Sequence, residues 1–171
     1  MFIAKPGSGI RTLQDLKART FAFGSVGSTS GHLMPRSFLL QAKMSPEKDM
    51  KHVAYSGAHD ATALWVESGR VEAGALNFLV WDKLVQQKKV DLAKVSVFYT
   101  TPPYVDYVWT ARGELDRGLL DKITAAFLKL DYANPAHRKL LDPHRTKKYI
   151  RANDADWKGI EEAAIAAGLL K

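Results

Sequence analysis

The sequence contains no cysteine, which excludes a disulfide framework, a thiolate metal site and a cysteine nucleophile. Nowhere do eighteen apolar residues run together, the length that a membrane-spanning helix needs. The first residues, Met1-Phe-Ile-Ala-Lys-Pro-Gly7, lack the charged and apolar regions of an export signal. Because Phe2-Ile-Ala4 predicts a strand that is already under way, we expect the chain to be truncated.

The motifs of the common catalytic and nucleotide-binding loops are also missing. Gly24, Gly27 and Gly31 do not make the GxGxxG fingerprint, and no GK[ST] follows them, so a dinucleotide loop and a P-loop are excluded. There is no HExxH and no GxSxG, so the sequence offers no metal cluster or activated nucleophile of those types. We therefore predict a protein that is not an enzyme, with no catalytic residue, no cofactor and no metal.

Acidic residues are fewer than basic ones, but the excess positive charge is dispersed. The 171 residues include 25 Lys and Arg against 18 Asp and Glu, a formal net charge of +7. The basic residues form only short groups and are not interleaved with aromatic residues, the pattern of a nucleic-acid groove. With 46% hydrophobic residues the composition is that of an ordinary globular chain, and we predict no nucleic-acid partner.

What the sequence does contain is a run of three small hydroxyl residues between a predicted strand and a predicted helix. Phe21-Ala-Phe23 has strand character, and apolar residues recur at helical spacing from Leu33 onward. Ser28-Thr-Ser30, which we call the hydroxyl run, therefore falls at a helix N-terminus, where free backbone N–H groups and the helix dipole favour an anion. The alternative is that one of the three hydroxyls only caps the helix. Pro35 is expected to loosen the first turn of this helix.

Strands and helices alternate through residue 110, which predicts an α/β fold with a largely parallel sheet. Ligands of such sheets gather beyond the carboxyl ends of the strands, and Ser28–Ser30, His59 and Asp106 all lie at or near predicted strand ends. From residue 115 onward only helices are predicted. The predicted strands are 2–4, 21–23, 51–55, 73–78, 95–99 and 104–110, and the predicted helices are 12–18, 31–43, 60–68, 79–87, 115–130, 135–141 and 154–167.

Five segments occur in a characteristic order along the chain: Gly9-Ile-Arg-Thr-Leu-Gln-Asp-Leu-Lys17, Phe21-Ala-Phe23 with Ser28-Thr-Ser-Gly31, Tyr55-Ser-Gly-Ala-His-Asp60, Gly69-Arg-Val-Glu-Ala-Gly74 and Tyr104-Val-Asp-Tyr-Val-Trp109. With these segments the chain resembles the phosphonate and phosphite substrate-binding proteins of bacterial ABC importers. Proteins of that family are bilobed, hinged periplasmic binding proteins that hold an anion between two lobes.

The resemblance implies a ligand and a set of binding residues. Ser28, Thr29 and Ser30 would donate hydrogen bonds to the oxygens of a small phosphorus oxyanion such as phosphite or methylphosphonate. His59 would be a further donor or, if protonated, a positive charge; by itself it could equally be a loop or cap histidine. Asp106 would select a protonated ligand oxygen or an amine, and its alternative is a solvated carboxylate or a hinge salt bridge.

One departure from the family bears on ligand size. Members that take aminoalkyl phosphonates have an extra acidic residue after the third strand, where this chain reads Asn77-Phe78-Leu79. An apolar Phe78 favours a small ligand, although Asp82, one helical turn onward, is an alternative acid. Tyr104, Tyr107, Trp109 and Trp81 are candidate aromatic walls that could instead be core or hinge packing.

The resemblance also implies a domain arrangement, a location and partners. Residues 1–9 would be a hinge strand from a first lobe that the chain lacks, 10–105 the second ligand-binding lobe, and 106–171 the return crossover with C-terminal helices that belong to the first lobe. The location would be the periplasm and the partner a membrane permease. Helices without a sheet to lie on are expected to self-associate or to pack on the second lobe.

The bilobed fold leaves other functions open. A ligand-sensing domain of a regulator or receptor could share it, but the sequence has no DNA-binding or signalling segment. An enzyme acting on phosphate esters is a further alternative, but the sequence lacks the catalytic motifs of such an enzyme. An inactive fragment is the remaining alternative.

Overall fold

The computed structural model describes residues 1–170, and five short strands form its single sheet. The strands are β1 (Phe2–Ala4), β2 (Thr20–Phe23), β3 (His52–Tyr55), β4 (Ala73–Ala75) and β5 (Ser96–Tyr99). Their order across the sheet is β3-β2-β4-β1-β5. β2 is parallel to β3 and β4, while β1 runs antiparallel to both of its neighbours, β4 and β5. The predicted α/β fold with a largely parallel sheet is confirmed, with β1 as the exception.

Residues 1–170 contain seven α-helices and several tighter or wider helical turns. The helices are α1 (Met34–Gln41), α2 (Pro46–Asp49), α3 (His59–Glu67), α4 (Phe78–Gln86), α5 (Arg117–Leu128), α6 (Pro135–Leu141) and α7 (Lys158–Ala166). A π-helical turn covers Thr29–Leu33, and 3-10 turns cover Leu13–Leu16, Asp142–His144 and Asp154–Trp157. The π-helical turn lies immediately before Pro35, as the predicted loosening of this helix start requires.

Three predicted elements are wrong in extent or type. The predicted strand 73–78 ends at Ala75. Residues 104–110 form no strand, so Asp106 lies in an extended segment after β5 and not on a returning strand. The predicted helix 31–43 ends at Gln41, and Pro46 starts the separate helix α2, because proline needs no N–H partner at the first helical position.

The sheet alternates its side chains between two cores. Phe2, Phe21 and Phe23 point to one face, where they pack with Leu16 and Leu39. The neighbouring strand residues Ile3 and Ala22 point to the other face. There they pack mainly against residues of α3 and α4, with Leu76: Ala63, Val66, Trp81 and Leu84. This two-residue alternation is what a sheet covered on both sides requires. Trp81 is 7% exposed in the second core, so it is a core residue and not an aromatic wall.

The chain separates into two compact units. The first comprises residues 1–106 with the described residues from 157 onward, and the second comprises residues 107–156. In the first unit α7 packs Ala163 and Ala164 against Leu33 and Met34, so this C-terminal helix lies on the sheet-bearing unit. In the second unit α5 has no buried side chain. None of the helices described is both long enough and apolar enough to cross a bilayer.

Candidate functional site

Three loops leave the same edge of the sheet and bring their polar residues together. β2, β3 and β4 are parallel, so their carboxyl ends share one edge, as the sequence led us to expect. The π-helical turn, α3 and α4 each begin within a few residues of these strand ends. Ser30, His59 and Asn77 consequently meet at this edge, where the extended segment that carries Asp106 joins them.

Asn77 connects the other members of the site. Its side chain is 3% exposed, and its Nδ2 donates to Ser30 Oγ at 3.1 Å and to Asp106 Oδ2 at 2.9 Å. Its Oδ1 accepts from the backbone N–H groups of Leu79 and Val80 and so caps α4. One buried amide thus fixes the helix start, the hydroxyl and the carboxylate in a single arrangement.

Asp106 lies in a half-buried environment that penalises its charge. Burial raises the pKa of the Asp106 carboxyl, while hydrogen bonds from Ser30 and Asn77 and the nearby His59 act in the opposite direction. Since Ser30 Oγ accepts from Asn77 Nδ2, its own hydrogen is free to bond the carboxylate. Asp106 therefore remains an acceptor for a further proton donor.

His59 is held in one tautomer. The backbone N–H of Asn77 donates to His59 Nδ1 at 3.2 Å, so Nδ1 carries the lone pair and the neutral ring has its hydrogen on Nε2. Burial lowers the pKa of His59, and the charge of Asp106 only partly offsets this. Protonated His59 would turn two hydrogens toward each other at Nδ1, so the ring acts as a neutral Nε2–H donor and not as a positive charge.

The hydroxyl run starts the π-helical turn. Ser28 is its N-cap, with Oγ accepting from the backbone N–H of Gly31 at 3.0 Å. The backbone N–H groups of Thr29 and Ser30, and the hydroxyl of Thr29, make no hydrogen bond to any part of residues 1–170. The capping role considered for one hydroxyl thus belongs to Ser28, and two adjacent backbone donors remain free at the positive end of the helix.

A close contact joins this helix start to His59. A Cβ built on Gly31 would lie 2.9 Å from His59 Cε1 and 2.9 Å from Ser28 Oγ. Only glycine leaves room for the imidazole to pack against the turn. The free N–H groups of Thr29 and Ser30 and the Nε2–H of His59 therefore belong to one neighbourhood, with the Asp106 carboxylate beside them. This combination suits a small oxyanion that carries a proton on one of its oxygens.

Among the predicted site residues the structure brings Ser30, His59 and Asp106 into one hydrogen-bonded group and places Ser28 and Thr29 at the start of the same turn. Phe78 follows Asn77 and is 51% exposed. The residue that sequence reasoning missed is Asn77 itself. Its signal was available, because an asparagine between a buried strand and an apolar helix is a typical N-cap. Within residues 1–170 no three His, Asp or Glu side chains are grouped so that they could hold a metal ion.

Comparisons with known proteins agree on one family. The profile described as "ABC transporter, phosphonate, periplasmic substrate-binding protein" matches residues 1–157. A probable ABC transporter phosphite binding protein, PhnD1, of Prochlorococcus marinus (strain MIT 9301) is 38% identical over 164 residues, which are 91% of this chain and 54% of the relative. A phosphonates-binding periplasmic protein of Escherichia coli (strain K12) is 30% identical over 171 residues, 96% of this chain and 49% of the relative. The chain thus spans about half the length of these curated relatives.

Solved structures show the same similarity. The structure of PhnD1 from Prochlorococcus marinus (MIT 9301) in complex with methylphosphonate superposes with a TM-score of 0.86 at 34% identity, covering 99% of this chain and 66% of that one. A binding protein component of an ABC phosphonate transporter from Pseudomonas aeruginosa has a TM-score of 0.74 at 23% identity, with 98% of this chain and 57% of that one covered. The second likeness is one of fold.

Proposed function

The chain belongs to the family of periplasmic substrate-binding proteins of phosphonate ABC transporters, and from that premise we propose that it binds a small phosphorus oxyanion for import. The candidate ligands are phosphite, methylphosphonate and related small phosphonates. PhnD1, the similar protein noted above, is named for phosphite and was solved with methylphosphonate. The family consists of transport proteins, and we propose that this chain binds its ligand without transforming it.

The observation that carries the proposal is the pair of free backbone N–H groups of Thr29 and Ser30 beside the tautomer-locked His59. An oxyanion there would accept from both backbone groups, from the Thr29 hydroxyl and from His59 Nε2–H. Ser28 and Ser30 would act differently from the other donors, since Ser28 Oγ caps the turn and Ser30 Oγ is occupied by Asn77 and Asp106. We propose that these two serines hold the site in shape.

Asp106 would favour binding of a ligand that carries a proton on one of its oxygens. A carboxylate repels an anion unless a proton lies between them, so Asp106 favours a ligand with a hydroxyl on phosphorus over an anion of the same shape without one. Exposed Phe78, at the start of α4, would limit the ligand to a small substituent.

The wider organisation is part of the same proposal. We propose that residues 10–105 are the ligand-binding lobe, with 1–9 as a hinge strand and 106–171 as the return crossover and C-terminal helices. The location would be periplasmic and the partner a permease that senses hinge closure. The apolar residues of α5, such as Leu119 at 46% exposed and Ile123 at 40%, would support self-association, which light scattering over a concentration series tests.

The experiment compares two ligands of one shape. Methylphosphonate and methanesulfonate each carry a methyl group, so ligand-observed proton NMR gives both dissociation constants with the same signal. At neutral pH only methylphosphonate retains a proton for Asp106 to accept. We expect a preference for methylphosphonate of about tenfold, equal to about 1.4 kcal/mol.

Two variants test whether Asp106 causes the preference for methylphosphonate. Asp106→Asn should bring the ratio of the two affinities close to one, whereas Asp82→Asn, which changes an exposed carboxylate on α4, should leave it as it is. Equal affinities for both ligands in the unchanged protein would contradict the role of Asp106. Absence of binding of either ligand at tens of millimolar would contradict the function.

A further inference from the structure

A second polar cluster lies next to the hydroxyl run and takes no part in the donor set described above. It consists of His32 in the π-helical turn, Arg36 on α1, Glu47 on α2 and Tyr55 at the end of β3. His32 is 2% exposed and Arg36 is 8% exposed. Burying an imidazole and a guanidinium costs free energy unless every polar atom is paired, so such a cluster needs a reason to be there.

The hydrogen bonds of His32 determine its tautomer. Arg36 Nε, which can only donate, lies 2.9 Å from His32 Nε2, and the Tyr55 hydroxyl lies 3.0 Å from the same nitrogen. Nε2 is therefore the acceptor and Nδ1 carries the hydrogen. That hydrogen points to the backbone carbonyl oxygen of Val26, 2.6 Å from Nδ1.

The other residues around His32 hold its ring in place. Arg36 donates to both carboxylate oxygens of Glu47, at 2.8 and 2.6 Å, and its Nη2 also lies 3.2 Å from the Tyr55 hydroxyl. The rings of Phe23 and Tyr55 pack edge-on against the imidazole with centroids 4.8 and 4.9 Å away. The His32 ring thus has one orientation, set by residues of four different elements.

Val26 belongs to the loop that leads into the hydroxyl run. Its side chain is 48% exposed, so burial does not hold it. Within the loop Ser28 N donates to Ser25 O, and His32 supplies the only side-chain hydrogen bond to residues 25–27 found in the described part of the chain. Ser28, at the end of this loop, in turn caps the turn whose first N–H groups are free.

We propose that His32 is a positioning residue for the oxyanion site: its Nδ1–H tethers the Val26 carbonyl and so places Ser28 and the free N–H groups of Thr29 and Ser30. The Arg36, Glu47 and Tyr55 side chains keep Nε2 an acceptor and thereby keep the hydrogen on Nδ1. The consequence for ligand binding rests on the proposed function, but the tether itself is tested without any ligand.

The first measurement reads the tautomer of the unchanged protein. Nitrogen-15 NMR of the histidine side chains near neutral pH should show a protonated Nδ1 and an unprotonated Nε2 for His32, and the reverse for His59. A His32 ring with its hydrogen on Nε2 would overturn the proposal, because no donor would then face Val26.

The second measurement compares two substitutions of His32 whose side-chain amides lie at different distances from the backbone. In His32→Asn the side-chain N–H₂ takes the place of Nδ1–H and keeps the tether, whereas in His32→Gln it takes the place of Nε2 and loses it. Amide exchange of Ser28 and Gly31 should stay within about threefold of the unchanged protein in His32→Asn and accelerate about tenfold or more in His32→Gln. Both variants lose the imidazole, so equal exchange in the two would overturn the tether.

The methylphosphonate affinity of the same two variants separates the tether from the function. If exchange differs as predicted and the affinity falls only in His32→Gln, both proposals are supported. If exchange differs but neither variant nor the unchanged protein binds the ligand, the tether stands and the proposed function fails. Should His32→Gln not fold, the tautomer of the unchanged protein still decides the matter.

Discussion

At the scale of single residues, the buried imidazole of His32 and the half-buried imidazole of His59 have opposite tautomers because their neighbours differ. His59 Nδ1 accepts from the backbone of Asn77, so its Nε2 can donate to a ligand, while His32 Nε2 accepts from Arg36 and its Nδ1 donates to Val26. Both rings are neutral for the same reason, since burial lowers the pKa of each. We therefore expect neither ring to supply positive charge, so that the proposed site would attract an anion through dipoles.

Those lowered pKa values predict how stability depends on pH. Both histidines have a lower pKa in the folded protein than the ordinary histidine value of 6.5, so at mildly acidic pH the unfolded chain binds more protons than the folded chain. The free energy of unfolding should therefore fall as the pH drops from about 7 toward the folded pKa values. The raised pKa of Asp106 acts the other way, but only in the acid range between its ordinary value of 3.8 and its folded value. Urea unfolding at several pH values between 5 and 7.5 measures the slope.

Variants identify the source of that slope. His59→Asn keeps an acceptor for the Asn77 N–H but does not titrate, so it should flatten the pH dependence, and His52→Asn on an exposed strand position should preserve it. Burial also lowers the pKa of the Met1 amino group to about 6, which adds a slope of the same sign. The test is therefore the part of the slope that the substitutions remove, and a slope left unchanged by replacing both His32 and His59 with asparagine would show that these rings do not contribute to it.

Loss of the Asn77 side-chain amide should lower the free energy of unfolding by an unusually large amount. Asn77→Ala removes the cap of α4 and leaves Ser30 and Asp106 without their shared donor, so we expect a loss of about 2–4 kcal/mol. Asn134→Ala is the matched control, because Asn134 also caps a helix through its Oδ1 but is exposed and bonds only Ala136 N at that oxygen; it should cost about 1 kcal/mol. Chemical denaturation measures both, and equal losses would refute the connecting role of Asn77.

Local sequence pattern predicted where several polar residues lie, while their roles in binding stay predictions. The sequence placed Ser30, His59 and Asp106 near strand ends, and the structure joins them in one hydrogen-bonded group. The pattern allows Asn77 to be predicted as a helix cap, but not its contacts within the site, because those partners lie up to 47 positions away in the chain. The same holds for His32, because its pairing with Tyr55 depends on the parallel register of β2 and β3.

At the scale of elements, the π-helical turn is the part of the fold on which the site depends. Its wider turn lies just before Pro35, and its N-terminus carries the free backbone donors. The strand–turn–helix order was predictable from hydrophobic spacing. The absence of a strand over residues 104–110 was not, since alternating apolar and aromatic residues look the same whether or not a partner strand is available.

Gly31 makes the tightest contact of this element, and its substitution tests the packing. In Gly31→Ala the new methyl group would lie 2.9 Å from both His59 Cε1 and Ser28 Oγ, so the imidazole and the cap must move. We expect a loss of about 1–3 kcal/mol in stability and a loss of ligand binding. Gly27→Ala is the control, since its methyl group meets nothing within 4 Å. A Gly31→Ala protein as stable and as competent to bind as Gly27→Ala would contradict the contact.

At the scale of the whole molecule, we expect a ligand held only by the four donors described above to bind weakly. Four hydrogen bonds to an oxyanion in contact with water are worth about 1 kcal/mol each, which corresponds to a dissociation constant of about 1 mM. The net charge of +7 adds a salt-dependent attraction of any anion without adding selectivity. Affinity in the micromolar range would mean that further donors enclose the ligand.

The most direct test is a backbone amide NMR titration of this chain with methylphosphonate. We predict that the largest shift changes occur at the N–H groups of Thr29 and Ser30, accompanied by the Nε2–H of His59, and saturate with a dissociation constant of about 1 mM. A titration in which those signals stay still while others move would contradict the proposed oxyanion site.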